Sequence, residues 1–391
     1  MRRAPILLIV LPVIILLVLA AGFFMLAPAQ IEKSLNRVTA HTPFPIPKQT
    51  QELHNSLIIG DLHADSTLWK RDLRKHSSRG HVDLPRLREG NVALQMFTSV
   101  TKSPRGQNYT HNATDSSDNI TLLAIAQLWP IRTWNNLTER ALYEAEKIHH
   151  LDQASPDEFK LILTSNDLQN LIEQRKKGSK IIGGLLGTEG SHALEGKLEN
   201  IQRLYDTGYR MMGLQHFFDN QLGGSLHGES NEGLTQFGKD AIMEMERLGI
   251  MIDVAHSSPK VVEDVLALAN SPLIVSHTGF YGHCPSPRNI SDELMKRIAA
   301  KGGLIGVGYW KGAVCDDIPE NIVQAIRYGI DLVGVDHIAL GSDFDGSVST
   351  HFNSSELAVL TDEMLKAGFT ETEIRKVMGE NMVRFLAQQL P

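Results

Sequence analysis

Cysteine is almost absent: Cys284 and Cys315 are the only two in 391 residues. Two thiols can form a single disulfide or stay as buried free thiols, and the sequence leaves both open. No cysteine follows the apolar run near the N-terminus, and no hydrophobic tail closes the chain. The expectation is therefore neither a bacterial lipoprotein nor a GPI-anchored protein. Basic blocks and stripes are also missing. Asp and Glu total 45 against 38 Lys and Arg, for a net charge of −7, so nucleic acid is not an expected partner. No internal repeat and no low-complexity segment appears beyond one proline-containing stretch.

What is present begins with "MRRAPILLIVLPVIILLVLAAGFFMLAPAQ". Arg2 and Arg3 precede an unbroken apolar run from about Pro5 to Leu26. About 20 such residues span a bilayer, and basic residues before the run keep the N-terminus cytoplasmic. Residues 1–30 are read as a transmembrane anchor, with a signal peptide cleaved near Ala27-Pro28-Ala29 as the alternative. The main domain is then expected outside the cytoplasm, on the periplasmic or extracellular side, anchored or, after cleavage, secreted. Residues 31–50, with "HTPFPIPKQT", read as an extended linker. Sequons at Asn108, Asn112, Asn119, Asn136, Asn289 and Asn353 carry meaning only in a eukaryotic secretory pathway.

From residue 51 to 391 short β-rich runs alternate with amphipathic stretches of helical length. The strand candidates span 56–63, 91–99, 180–189, 209–216, 249–256, 271–277, 302–310 and 336–344, with "FKLILT" (159–164) as an accessory strand. Segments 258–270 and 291–302 read as helices. Near-continuous apolar strands separated by helices indicate a parallel sheet covered on both faces. Eight of them predict an α/β fold, a (β/α)8 TIM-type barrel, with a doubly wound open sheet as the alternative.

The ends of these strands carry the chemistry. The first reads "IIGDLHADS" and closes in His63 and Asp65; the third ends in Glu189, the fourth in His216. The fifth ends in His256, the sixth in His277 and the eighth in Asp343. In a barrel all these ends meet on one face, where active sites are built. In an extended segment, residues two apart point the same way, so His63 and Asp65 can face one ion. Imidazole and carboxylate together suit zinc and similar metals. His63, Asp65, Glu189, His256 and His277 exceed what one four-coordinate zinc needs. They suit two metals sharing a bridging carboxylate, with a bridging hydroxide as nucleophile and the metals as Lewis acid. Such a site also needs a group that moves a proton to the leaving amine. Asp343 in "LGSDFDG" is the candidate; the turn-forming role of an acid before Gly346 suits Asp345 better.

These residues, in this order, resemble the membrane dipeptidase (renal dipeptidase) family of zinc metallopeptidases. The resemblance runs from "DLHADS" to "IRKVMGENMVRFL". It takes in "GHVDLPRLREGNVALQMF", "LLGTEGSHAL", "MMGLQHFFDN", "IDVAHSS", "VSHTGFYGHCPSPRNISD" and "ALGSDFDG". It implies a barrel with two zinc ions per chain and hydrolysis of dipeptides with broad side-chain tolerance, including a C-terminal D-residue. It implies that His63 and Asp65 bind one zinc, His256 and His277 the other, and that Glu189 bridges them. It gives His216 contact with the scissile-bond oxygen, Arg288 the substrate's terminal carboxylate, and Asp343 the proton transfer. Arg288 lies 11 residues after His277, on a loop of the same face, and a guanidinium binds carboxylates bidentately. Tyr309, at the end of the seventh strand, is a further candidate for that carboxylate, or packs beside Trp310. The N-terminal anchor and missing GPI signal look like a bacterial exported form. The loop 308–317 and the insert around 100–140, with Trp129 and Trp134, are where specificity is expected to be set. Expected partners are a dipeptide and, through the N-terminal segment, a membrane; a homodimer stays open.

Two other readings compete. One keeps the barrel but acts on another amide, a lactam or an ester, because fold alone does not decide chemistry. Relatives that bridge metals through a carboxylated lysine need Lys where this chain has Glu189. The other is a non-catalytic surface protein with a relict site, which should have lost a ligand, whereas every matched position is filled.

Overall fold

Strand order in the computed structural model follows the chain and then returns to its start. The structure describes residues 4–391, without the side chains of 4–11, 13, 16–21 and 25. We label the strands β1 (Ile59–Ala64), β2 (Val92–Val100), β3 (Ile182–Glu189), β4 (Tyr209–Gly213), β5 (Met251–Asp253), β6 (Ile274–Thr278), β7 (Leu304–Val307) and β8 (Ile338–Leu340). Each pairs in parallel with the next, and Leu340 of β8 pairs with Asp61 of β1, so the sheet closes as a (β/α)8 barrel. All eight expected strands are present. The accessory strand is also there, as Phe159–Leu161 paired in parallel with the first residues of β3. Strands β4, β5, β7 and β8 stop earlier than their apolar runs, so His216, His256 and Asp343 stand on the loops just beyond them.

The strands are buried along their whole length, which explains why their sequences do not alternate with polar residues. The helices outside follow local rules. In Pro259–Leu268, Pro259 occupies the first turn and Ser258 caps Val261 N, while Val261, Val262, Val265 and Leu266 form the buried stripe. Asp292–Ala300 repeats the plan, with Ser291 as cap and Leu294, Met295, Ile298 and Ala299 buried.

Inside the barrel, every strand contributes to one apolar cluster, from Leu62 of β1 to Ala339 of β8. Met382, Phe385 and Leu386 of the last helix join it. Two residues further along several strands the character switches. Met96 gives way to Thr98, Met251 to Asp253, and Ile274 to Ser276; Leu185 gives way through Gly187 to Glu189. With a side-chain period of two, each pair shares a face. The barrel is thus apolar below and polar above, and the polar layer is the floor of the site.

The N-terminal helix spans Ala4–Leu35. Among the described residues no helix is long and apolar enough to cross a membrane. The expected anchor, residues 5–26, falls largely on side chains outside the described set. Residues 31–50, read as a linker, are extended over 39–47 but docked on either side of that stretch. Glu32 is 1% exposed and pairs with Arg71 and Arg79. Asn36 Oδ1 accepts from Ser347 N at 2.7 Å, and Arg37–Val38 pairs in parallel with Ser349–Thr350.

Glu32→Ala leaves Arg71 and Arg79 without their shared carboxylate. Leaving a buried charge uncompensated costs about 3–5 kcal/mol; Arg71 keeps Asp345 and Arg79 is partly exposed, so the loss should fall below that figure. Urea unfolding of the purified chain followed by circular dichroism should show that loss. An unchanged midpoint would mean that the helix end is not part of the folded unit.

Candidate metal centre

Every expected metal-ligating residue lies at the C-terminal mouth of the barrel. His63 is inside β1 and Asp65 follows it; Glu189 is the last residue of β3, and His277 lies in β6. The centre of the arrangement is one oxygen. Glu189 Oε1 lies 3.1 Å from His256 Nε2, 3.4 Å from His277 Nε2, 3.4 Å from His216 Nε2 and 3.6 Å from His63 Nε2. His63 Nε2 also lies 3.4 Å from Asp65 Oδ1 and 4.0 Å from Asp343 Oδ1. All these side chains are buried.

Three carboxylates gathered out of water repel one another. Burial, then the charges of Asp65 and Asp343, hold the Glu189 carboxyl well above its ordinary range. Burial pushes Asp343 up to about 8. Burial also drives His256 and His277 well below the usual imidazole value and His216 down to about 4, so these rings are neutral. His63 differs: burial lowers it, but Asp65 and Asp343 outweigh that and leave it raised. Neutral imidazoles and crowded carboxylates are the donor set that divalent zinc requires. His63 Nε2 is fully buried and makes no hydrogen bond within the protein, which suits a ligand atom. The residues therefore fit a metal. Among the described residues, two groups have ligand atoms within 4.8 Å of one another: His63, Glu189, His277 and Asp343, and Glu189, His216 and His256. Glu189 belongs to both. His216 stands as close to Glu189 as His277 does, and Asp65 touches His63 while accepting a 2.6 Å hydrogen bond from Thr98 Oγ1.

The mouth is built from loops. Arg288 is fully buried, donates to Ala255 O at 3.0 Å and His277 O at 2.9 Å, and lies 3.4 Å from His256 Nε2. Its guanidinium sits over the Trp310 ring. The loop carrying Arg288 is tied to the one carrying Trp310 by the disulfide Cys284–Cys315. Asn289 reinforces the tie by donating to both Cys284 O and Ala313 O.

Tyr309 does not serve as expected. Its ring is completely buried between Phe344 and Phe352, and its hydroxyl has no partner. The chain turns after β7, so Tyr309 enters the core while Trp310 faces Arg288. The residue that approaches the site is Tyr109, which sequence reasoning missed. It is half-buried beside Phe217 and His227, and its hydroxyl accepts from Trp310 Nε1 at 2.9 Å. Burial raises its pKa, and the charges of Arg288, Asp343 and Glu189 all reach it. No periodicity marks "QNYTH"; only its membership of the 100–140 insert pointed there. Trp129 and Trp134 of that insert are packing residues, grouped with Leu68 and Trp69, and Lys147 lies over the Trp129 ring.

Asp343 sits in an unusual loop. Asp343, Asp345 and Ser347 have φ of 59°, 64° and 64°, a region that non-glycine residues rarely adopt. Asp345 holds that loop from behind. It pairs with Arg71 and accepts from His81 N and Ser66 Oγ at 2.6 Å each. Burial alone would raise its pKa; Arg71 and these donors hold it well below the usual range.

Residues 47–390 match the family model described as "Membrane dipeptidase (Peptidase family M19)". A protein of Claviceps purpurea (strain 20.1) named dipeptidase tcpJ is 26% identical over 319 residues, which cover 79% of this chain and 69% of its own. A crystal structure of a metallopeptidase of family M19, titled dipeptidase AC, superposes with a TM-score of 0.69 at 24% identity; 86% of this chain and 99% of that one are covered. A metallopeptidase from Rhodobacter sphaeroides, solved with a phosphinate mimic of the dipeptide L-Ala-D-Ala, gives 0.68 at 23% identity, with the same coverage. At these identities the structures share the fold.

A Cβ at Gly346 would lie 2.0 Å from Asp343 Oδ1. Gly346→Ala should therefore displace that carboxylate while leaving the barrel intact. A misplacement near 1 Å costs on the order of 100-fold in rate. The expected outcome is a kcat loss of that order with the thermal midpoint little changed, and a fully active variant would separate Asp343 from the reaction.

Proposed function

This chain belongs to the membrane dipeptidase family, peptidase family M19, and from that premise we propose that it hydrolyses dipeptides with two zinc ions per chain. Its standing as a dipeptidase-like metallopeptidase rests on the family; the substrate and ion count are our reading. The observation that carries this reading is the single Glu189 oxygen ringed by four imidazole Nε2 atoms within 3.6 Å. Zinc held by His63, Asp65, Glu189, His256 and His277 would supply a nucleophile from water at neutral pH and polarise the scissile carbonyl.

The chain's own residues do the rest. Arg288 is a buried, oriented cation beside His256 and takes the free carboxylate of the substrate. His216 donates from Nδ1 to Lys102 O at 3.2 Å, and its Nε2 donates to the scissile-bond oxygen once the ring takes up a second proton as charge develops there. Asp343 carries the proton to the leaving amine. Tyr109 and Trp310 cover the mouth and exclude water. Tolerance of a C-terminal D-residue is supported by the L-Ala-D-Ala mimic bound to the Rhodobacter sphaeroides relative. Over the competing barrel hydrolase of another amide, lactam or ester, this reading is supported by the buried Arg288 cation, which no carboxylate pairs with among the described residues.

We also propose that the domain lies outside the cytoplasm, held by the N-terminal segment or released by its cleavage. The Cys284–Cys315 disulfide suits an oxidising compartment, and Arg2 and Arg3 before the apolar run suit a cytoplasmic N-terminus.

Purified enzyme, assayed on L-L and L-D dipeptides with and without zinc, should cleave both series and lose activity to a chelator. Elemental analysis at saturation should give two ions per chain, and Glu189→Ala should lower that number and abolish turnover. One ion at saturation in the wild type would overturn the dimetal reading.

The Arg288 role has its own test. A C-terminal amide or a third residue puts a neutral group against the guanidinium. Mispairing a buried charge costs about 2–5 kcal/mol, or roughly 30- to several-thousand-fold. Dipeptide amides and C-terminally extended tripeptides should be poor substrates by that factor, and Arg288→Ala should narrow the gap by losing the free acids. Equal cleavage of amides and acids by the wild type would favour the broader hydrolase.

A further inference from the structure

One hydroxyl stands behind two of the ring nitrogens. Ser276 Oγ lies 3.1 Å from His63 Nδ1, 3.0 Å from His277 Nδ1 and 2.7 Å from Asp253 Oδ2. All four side chains are buried, and the two imidazoles come from different strands, with ring centroids 3.8 Å apart. We propose that Ser276, backed by Asp253, is a positioning residue that fixes the same tautomer in His63 and His277 and thereby couples the two metal sites. The proposal rests on the dimetal reading above, with His63 and His277 divided between the two ions as the family resemblance implies, although both lie in one group of ligand atoms within 4.8 Å of one another.

The chain of reasoning is donor counting. Asp253 is surrounded by donors: its Oδ1 accepts from Ser276 N at 2.9 Å and Ala255 N at 3.1 Å, and its Oδ2 accepts from Ser276 Oγ. A serine hydroxyl has one hydrogen and two lone pairs. Its hydrogen is committed to Asp253, so both lone pairs are left for the imidazoles. Each ring must then carry its proton on Nδ1 and keep a free lone pair on Nε2. Those Nε2 atoms face Glu189 Oε1, at 3.6 Å for His63 and 3.4 Å for His277. A ligating histidine is oriented by what its other nitrogen donates to. The other two rings lie outside this arrangement: His216 uses Lys102 O, and His256 Nδ1 has no partner.

Removing the acceptor frees both rings at once. Ser276→Ala should weaken binding of both zinc equivalents by about 10–100-fold. Ser276→Thr keeps the hydroxyl and should restore both. Asp253→Asn makes a sharper case. An amide nitrogen can donate to Ser276 Oγ, so the hydroxyl hydrogen turns to one imidazole. That ring must accept at Nδ1 and carry its proton on Nε2, where it cannot ligate. Asp253→Asn should therefore weaken one equivalent and spare the other.

The test is a competitive chelator titration of the metal-free full-length chain with zinc, alongside thermal unfolding of the same metal-free protein. The result expected is the pattern above, with metal-free midpoints close to wild type for Ser276→Thr and Asp253→Asn. Wild-type affinity for both equivalents in Ser276→Ala, or weakening of only one, overturns the proposal. Asp253→Asn weakening both equally overturns the hydroxyl-reversal argument. A wild-type chain that binds fewer than two ions instead fails the dimetal reading, so the two failures are distinguishable.

Discussion

A carboxylate buried among imidazoles and other carboxylates is the constraint around which this molecule is arranged. Glu189 cannot stay ionised beside Asp65 and Asp343 without a cation, because burial removes the water that would screen them. The neutral rings of His216, His256 and His277 do not supply that charge, and Arg288 lowers the Glu189 carboxyl without returning it to its ordinary range. The cluster is therefore a site that fits a divalent metal, and its cost must be carried by the barrel that holds it. Eight strands, buried along their length and hydrogen-bonded in a closed ring, give that rigidity.

The barrel manages the change from apolar core to polar floor by strand periodicity alone. A strand that places Met251 in the interior cluster places Asp253 on the same face one step higher, and Ile274 does the same for Ser276. The glycines between take up the crowding. At Gly187 a Cβ would lie 2.7 Å from the Met211 methyl carbon, so the backbone of β3 approaches its neighbour's side chain directly below Glu189. Small residues in the strand let the bulky interior layer rise to the base of the site without a void.

This is also why much of the molecule was legible in the sequence. Strand residues have a face fixed by position, so His63, Asp65, Glu189 and His277 could be placed from their distance to the apolar run. His216, His256 and Asp343 lie a few residues beyond their strands and are still legible, because each closes an apolar run; the resemblance adds the substrate contact of His216 and the division of ligands between the ions. Loop residues have no such rule. Tyr309 stands two residues after β7, where an extended chain would bring it into the site, but the chain turns and Trp310, itself buried, takes the side facing His277 and Arg288. Tyr109 sits in an insert without periodicity and reaches the site only through tertiary packing. Ser276 and Asp253 lie inside apolar strands, and a hydrogen bond behind a ligand leaves no spacing to read. The docking of Glu32 was hidden for the same reason: an ion pair with Arg71 joins positions that are distant in the chain.

The upper part of the site is held together differently from its floor. Below, the barrel ladder fixes the ligands. Above, the loops are joined to one another sideways. The disulfide links the loop after β6 to the loop after β7; Trp310 of the latter lies over Arg288 and donates to Tyr109 of the loop after β2. The loop after β8, carrying Asp343 in a left-handed conformation, is tied through Asp345 to Arg71, and Arg71 to Glu32 of the N-terminal helix. Strained backbone persists only where its surroundings over-determine it. Here the N-terminal helix supplies part of that determination, so the segment that leads into the domain is tied by an ion-pair network to the loop that carries the carboxylate expected to move the proton.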